Sequence, residues 1–418
     1  MRSKLKLRSE FTKSVLTLIT GTTIAQAIPI AISPILTRLY TPEDFGVWAL
    51  YISILMVLGN LVAGKYELAI LVPKHDVEAK NIVLLSLLFA IVFSIILFIL
   101  VFIFHSEILK VFKNDDISFW LYILPFNIFL VSAISILYFW NNRKKKYKLL
   151  AKNQILQSSS QGIVNLAIGF FSKINAGLII GTLIGNIMSF LFMLKHSKKD
   201  LIVNFSKLRL FYVMKKYKKF PLFMLLSGLL ENVSAQLPIF FLGSFFGSGI
   251  VGFYSLSQRI VRIPIMLIGS SIGNVFRQEA SEHLNKYGNC EEVFLNTLKK
   301  LLIISTLPFI VFYFIAPYLF EFVFGEKWRI AGEYAQILTP LFYLQFIVSP
   351  LSNMFMIAQK QQYDLIMQIY LIVSVTLSFI IGYKFFNDVK ITLYIFTFVY
   401  SLKYIFEFIL SYKFSKGK

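Results

Sequence analysis

Three ionisable residues fall inside stretches that otherwise read as membrane-spanning sequence: Glu231, Arg259 and Arg262. An ionised group near the centre of a bilayer costs about 2.5–3.5 kcal/mol on insertion scales, so such residues usually face a cavity or one another. Arg259 and Arg262 are three apart and therefore share one helix face. At 1.5 Å of rise per residue, Glu231 and Arg262 reach nearly the same depth and are placed to pair. Polar residues recur at helical spacing around them: Thr22, Gln26 and Ser33; Ser227, Glu231 and Ser234; Ser255, Arg259 and Arg262. Helices packed through such stripes would enclose a hydrated cavity, cationic in its second half, that suits an anionic substrate. The same three charges also fit a structural ion pair clamping two helices, and the two roles are compatible.

Asn60 and Lys65, with Glu67 just beyond, add polarity near the cytoplasmic end of a second helix. Lys65 with Glu67, and Lys403 with Glu407, also fit long side chains reaching the cytoplasmic interface. Arg38 at the outer end of the first helix and Arg277 at the inner end of the eighth fit either gate charges or interfacial anchors. No catalytic constellation and no metal-ligand spacing is apparent: His75, His105, His196 and His283 are scattered, and Cys290 is the single cysteine. No Gly-rich nucleotide loop is apparent either, which argues against direct ATP use.

The elements that must carry these residues follow from composition. The chain has 418 residues, 57% hydrophobic and 15% charged, with a mean hydropathy of +0.71. A soluble domain has about 25% charged residues, so an ordinary cytosolic enzyme is excluded. About 20 apolar residues make one span. Apolar runs between charged or turn-rich breaks predict twelve: 15–36, 46–64, 82–104, 117–140, 155–171, 177–194, 222–243, 250–272, 301–320, 334–358, 365–383 and 391–410. The fifth is diluted by the polar run from Gln157 to Gln161. The first, preceded by Arg2, Lys4, Lys6, Arg8 and Lys13, exceeds a signal-peptide core and reads as an uncleaved helix.

Charge tests the arrangement independently. Lysine and arginine accumulate in cytoplasmic loops. With the N-terminus inside, the seven cytoplasmic segments hold 31 of the 42, the six external loops hold 8, and Arg259, Arg262 and Lys403 lie within spans. Both termini are expected in the cytoplasm. Topology thus accounts for most of the net charge of +21, and the basic runs 143–152 and 207–219 read as orientation signals in contact with anionic lipid rather than as a nucleic-acid site.

The chain also repeats itself. Gln26, Pro29 and Ile30 precede Gly46-Val47-Trp48-Ala49-Leu50, and Gln236, Pro238 and Ile239 precede Gly252-Phe253-Tyr254-Ser255-Leu256, an offset of 206 at the glycine. Six spans separate the copies, an even number, so the repeat is parallel. The expected organisation is an all-α integral membrane protein of two six-helix bundles, residues 1–206 and 207–418. Pro29, Pro34, Pro238 and Pro264 interrupt the helices flanking the expected cavity and make bending there easy.

The run from Leu36 to Leu50, LTRLYTPEDFGVWAL, followed by Lys65-Tyr66-Glu67-Leu68-Ala69-Ile70-Leu71-Val72-Pro73, resembles the opening of bacterial oligosaccharide flippases of the O-antigen (Wzx) type. Phe220-Pro221, Gln236-Leu237-Pro238, Phe245-Phe246-Gly247, Val251-Gly252-Phe253-Tyr254, Arg259, Pro264, Leu267-Ile268-Gly269 and Val275-Phe276 are similar to the second half of that family. The resemblance implies the multidrug/oligosaccharidyl-lipid/polysaccharide exporter superfamily, with two bundles forming a V around a central cavity, as in multidrug exporters of the MATE type. It implies a substrate, an oligosaccharide repeat unit on undecaprenyl pyrophosphate, that is turned to the outer leaflet of the cell inner membrane for O-antigen, lipopolysaccharide or other surface polysaccharide synthesis. It further implies polymerase and chain-length partners, and a proton or sodium gradient in place of any cofactor. On this reading Arg259, Arg262, Lys65, Gln26, Asn60 and Gln236 meet the pyrophosphate and sugars, Glu231 serves pairing or coupling, and Arg38 and Arg277 gate. Family members often have arginine where this chain has Lys65, which would exchange a planar fork for a point charge.

Two other readings compete. A multidrug or cation exporter needs acidic cavity residues, whereas the mid-membrane excess here is arginine. A membrane-embedded polymerase needs a sizeable external loop bearing its catalytic groups, and no external loop exceeds about fifteen residues.

Overall fold

The computed structural model describes residues 2–59, 61–112, 114–171, 176–201 and 206–417, with side chains throughout except at 2–16, 19, 112, 223, 227 and 361. Among the described residues the secondary structure is helical and no strand occurs. The chain divides into two compact units, Met1–Asn232 and Val233–Lys418.

The first unit contains α1 (Arg2–Leu39), α2 (Pro42–Gly59), the short α3 (Tyr66–Ala69), α4 (Asp76–Phe112), α5 (Ser118–Arg143), α6 (Tyr147–Phe171), α7 (Gly177–Ser197) and α8 (Lys207–Lys216). A π-helical segment, Phe220–Leu225, leads into α9 (Leu226–Phe246), inside which the division falls. The sequence places the boundary at 206/207. Residues 207–232 instead group with the first unit, because α8 packs on α4 and Tyr217 donates to Glu78 Oε1 at 3.1 Å.

Local chemistry explains the starts and contacts of these helices. Thr41 and Asp44 cap α2 reciprocally: Asp44 Oδ2 accepts the Thr41 N–H at 2.8 Å and Thr41 Oγ1 accepts the Asp44 N–H at 3.3 Å. Pro42 stands at the first helical position, where a missing N–H costs nothing. Lipid-embedded helices associate through small residues and interhelical hydrogen bonds. Gly21 of α1 lies directly against Ala151 of α6, and Gly185 of α7 against Gln161 of α6. The polar run of α6 is consumed in the same way. Gln157 Nε2 donates to Asn186 Oδ1 at 2.7 Å, Asn186 Nδ2 to Asn127 Oδ1 at 2.7 Å, and Asn127 Nδ2 to the Tyr51 hydroxyl at 2.9 Å, linking α6, α7, α5 and α2. Gln161 Nε2 and Trp48 Nε1 both donate to Thr182 Oγ1, at 3.1 and 2.9 Å.

The second unit holds the rest of α9, then α10 (Ser248–Val261), α11 (Ser270–Tyr287), α12 (Glu291–Phe324), α13 (Arg329–Leu351), the short α14 (Met354–Ile357), α15 (Gln361–Ile381) and α16 (Val389–Ser415). The segment Ile265–Gly269 is π-helical and α10 and α11 are bent by 41° across the break. Pro264 accounts for the break, since it offers no N–H to the Ile260 carbonyl. Aromatic rings bind α9 to α15 and to the π-helical segment Gly382–Phe386 that follows it: Phe241 stacks on Phe379 and Phe245 on Tyr383, with centroids 5.6 and 4.5 Å apart. The buried Ser257 hydroxyl donates to the Ala331 carbonyl at 2.5 Å and joins α10 to α13.

Nine helices among the described residues are long and apolar enough to cross a membrane, or ten if the bent pair is one span. The helix at the place of the fifth expected span, α6, is 25 residues long but carries the paired polar run. The first expected span lies partly on side chains outside the described set.

A close backbone approach testable by a single methyl is that of α12 and α13. A Cβ on Gly332 would stand 2.6 Å from both the Ala316 carbonyl oxygen and Pro317 Cα, two backbone atoms that cannot rotate away. Gly332→Ala is expected to destabilise the protein by about 1–3 kcal/mol, the usual range for overpacking, read as a lower melting temperature in detergent.

Candidate functional site

In the first unit the connection after α2 positions the candidate cation. Gly64 and Lys65 are both left-handed, with φ of 62° and 60°. Glycine adopts that conformation freely; an L side chain pays roughly 1–2 kcal/mol for it. Tyr66, buried, donates its hydroxyl to the Met214 carbonyl of α8 at 3.1 Å, and Arg143 Nη1 donates to the Ile70 carbonyl at 3.1 Å, so the segment is held from both sides. The Lys65 side chain runs against α9: its Cε would lie 3.1 Å from a Cβ on Gly228, one helical turn before Glu231. Lys65 is half-buried and Glu231 exposed.

Glu67 departs from the expectation of an interfacial side chain. It is 5% exposed, and its Oε2 has no hydrogen-bond partner. Burial pushes its carboxyl above the ordinary value of 4.5, opposed by its own backbone N–H and by the Lys65 charge. Gln26 is half-buried on α1. Arg38 is exposed and its Nη1 donates to the Pro34 carbonyl at 2.7 Å, one turn back on its own helix. Asn60 lies outside the described residues, as does the Ser227 side chain.

In the second unit Arg259 and Arg262 sit one turn apart at the end of α10, Arg259 half-buried and Arg262 exposed. Arg262 is the residue at which α10 stops, and its N–H still donates to the Gln258 carbonyl at 3.1 Å. Its guanidinium lies within electrostatic reach of the buried Tyr254 and Tyr404. Tyr404 in turn stacks on Tyr400 with ring planes 3° apart, and Lys403 Nζ lies 4.3 Å from its ring centroid. Gln236 is half-buried on α9. Arg277 is exposed, and its Nε donates to Asn353 Oδ1 at 3.0 Å, so this side chain ties α11 to the segment before α14.

Lys403 and Glu407 correct a sequence expectation. They form an ion pair of 2.6 Å with side chains only 10% and 4% exposed, so they do not reach for an interface. Tyr254 entered the sequence reading only within the repeat and the family motif, and Tyr400 and Tyr404 were not singled out, because tyrosine is abundant and their approach across two helices leaves no trace in the sequence. The left-handed Lys65 was visible only as a lysine following a glycine.

Comparison with known proteins places these features. Residues 35–332 match a protein family described as polysaccharide biosynthesis protein. The teichuronic acid biosynthesis protein TuaB of Bacillus subtilis (strain 168) is 27% identical over 243 residues, 57% of this chain and 49% of its own, so the match spans about half the length of that relative. Among solved structures, the lipid II flippase MurJ in an inward closed conformation superposes with a TM-score of 0.75 at 14% identity, covering 97% of this chain and 90% of that one. An inward-facing multidrug resistance MATE family transporter of the MOP superfamily gives 0.65 at 14% identity, covering 94% and 93%. A MOP superfamily transporter from Pyrococcus furiosus, described by a binding pocket of reverse polarity, gives 0.65 at 15%, covering 96% and 94%. The fold is that of these transporters, and the chain is a multi-pass membrane protein.

Glu67 yields a test by pH. A carboxyl held above its ordinary value keeps its proton in the folded state after the unfolded chain has lost it. Stability from this group is therefore full below the unfolded value and is lost as pH rises through the folded one. Glu67→Gln is expected to raise the melting temperature at pH 8 relative to the unmodified protein and to leave it unchanged near pH 4. An equal difference at both pH values would show that the carboxyl does not titrate in this way.

Proposed function

Because the chain belongs to the polysaccharide biosynthesis protein family, we propose that it is a flippase, turning an oligosaccharide repeat unit linked to undecaprenyl pyrophosphate from the cytoplasmic to the outer leaflet of the cell membrane. The observation that carries the reading is the arginine doublet at the end of α10: two guanidiniums one turn apart, beside a proline break within an otherwise apolar span. Pyrophosphate and sugars cannot enter hydrocarbon unaided, because each polar group would lose its hydration. A guanidinium offers a planar pair of donors that matches phosphate oxygens, and Arg259 with Arg262 would supply two such forks. Lys65 would add a point charge from the first unit, and Gln26, Asn60 and Gln236 would offer neutral donors and acceptors to the sugars.

Glu231 would carry the coupling ion. A proton or sodium gradient would supply the driving force, with Arg38 and Arg277 at the two gates. The polysaccharide served is O-antigen or another surface polymer; the teichuronic acid named for the Bacillus relative widens that choice beyond lipopolysaccharide. The Pyrococcus transporter, similar in fold, is described by a binding pocket of reverse polarity that suggests a different function. A multidrug exporter acting on cations is disfavoured by the same arginines.

The test is complementation of a deletion strain. Arg259→Ala and Arg262→Ala, each confirmed to be inserted in the membrane, are expected to lower surface polysaccharide by about tenfold or more, since a hydrogen bond to a charged group contributes about 1.5–3 kcal/mol. Single repeat units should then accumulate facing the cytoplasm. Wild-type polymer from the double variant would refute the role. Lys65→Gly is a companion variant whose left-handed backbone suits glycine, so loss of polymer without loss of melting temperature would report the missing charge.

A further inference from the structure

The first unit carries a second cationic site, remote in sequence from α10, that the flippase reading does not use. A cavity of about 530 Å³ is lined by Lys145, Lys146, Tyr147, Lys148, Leu149 and His196. These residues come from the turn joining α5 to α6 and from the last turn of α7. The apolar spans Asp115–Arg143 and Gly177–Ser197 end there, one either side of α6, so the cavity opens at one end of two membrane-length helices.

Lys146 pairs with a carboxylate, but the other two lysines of its lining, Lys145 and Lys148, do not. The acids of this region take other partners: Asp76 receives Arg143 at 3.0 Å and also Lys144, and Asp200 receives Lys146 at 2.6 Å. Among the described residues no carboxylate oxygen lies within 4 Å of the Lys145 or Lys148 ammonium, and both side chains are exposed. His196 closes the other side, its Nδ1 2.8 Å from the Phe192 carbonyl, which leaves Nε2 as the ring nitrogen without that bond. Lys144 Nζ lies 5.1 Å from the Trp140 ring centroid, fixing the approach to the turn.

The backbone supplies an independent observation. The end of α5 is a Schellman motif: the Lys145 N–H donates to the Asn142 carbonyl at 2.9 Å and the Lys146 N–H to the Asn141 carbonyl at 3.0 Å. The residue that must be left-handed in that motif is Lys145, with φ of 56°, at a place where glycine is usual. Nothing in the turn's own hydrogen bonding requires a lysine there. A lysine at a left-handed backbone position beside a cationic cavity is a candidate for function.

We propose that this cavity is a binding site for the phosphate headgroup of an anionic membrane phospholipid, with Lys145, Lys148 and His196 as its donors. The site stands at the end of two helices long and apolar enough to span a membrane, and basic pockets between membrane helices hold such headgroups. Its position beside apolar helix ends favours a phosphate that arrives with acyl chains over a free anion.

The experiment measures the melting temperature of the full chain in detergent micelles titrated with phosphatidylglycerol, with cardiolipin or with phosphatidylcholine. The two anionic lipids are expected to raise it saturably and phosphatidylcholine to leave it unmoved. Lys148→Gln and Lys145→Gly should each raise the half-saturating phosphatidylglycerol concentration about fivefold, the factor equivalent to the ~1 kcal/mol contributed by a basic residue near an anionic surface. Lys145→Gly should hold or raise the melting temperature without lipid, because glycine relieves the left-handed backbone, so misfolding cannot account for the lost response. Lys198→Gln removes the same charge from outside the cavity and should leave the titration unchanged. The proposal fails if Lys198→Gln weakens the response as much as Lys148→Gln, if the Lys145→Gly, Lys148→Gln double variant titrates like the unmodified protein, or if soluble pyrophosphate alone reproduces the full shift.

Discussion

Inside a hydrocarbon slab every polar group needs a partner in the protein or access to water, and this requirement organises the molecule. Several polar residues in the first unit meet it by pairing with one another. Gln157, Asn186, Asn127 and Tyr51 form one chain of hydrogen bonds through four helices, and Thr182 gathers Gln161 and Trp48 into another. Residues of that kind are glue. They make α6 look too polar for a span while fastening it to its neighbours, and they bring no charge with them.

The charged residues divide by the same criterion. Lys403 and Glu407 satisfy each other within one turn of α16 and are sealed from solvent. Arg259 and Arg262 repel one another and stand where α10 ends, Arg262 open to solvent. Glu67 is a third case, a carboxyl enclosed with one oxygen unpartnered, which the neighbouring Lys65 charge eases without closing an ion pair.

The sequence made legible what depends on local pattern. Apolar runs marked the long helices, and spacing of three put Arg259 and Arg262 on one face. Pro264 announced the break that the bend of 41° realises. What it concealed depends on partners brought from a distance. Lys403 and Glu407 look like interfacial side chains until α13 and α15 pack around α16. Lys65 was legible as a candidate cation, but its turn against Gly228, set by Gly64 and its own φ of 60°, was not. The division within α9 was hidden because the basic stretch resembles a linker, whereas α8 folds back onto α4 and carries the following residues with it.

The contrast between α10 and α16 has an electrical side. A transmembrane voltage does about 2.3 kcal/mol of work per elementary charge for each 100 mV traversed. A tightly bound lysine and glutamate sum to zero, so the field exerts no net pull on them and α16 behaves as an insulator's fixed post. The two guanidiniums of α10 carry charge of one sign, and they sit beside the helix break. Any displacement of that break along the membrane normal moves formal charge, so the resting potential of the cell bears directly on the bend unless an anion rides with it.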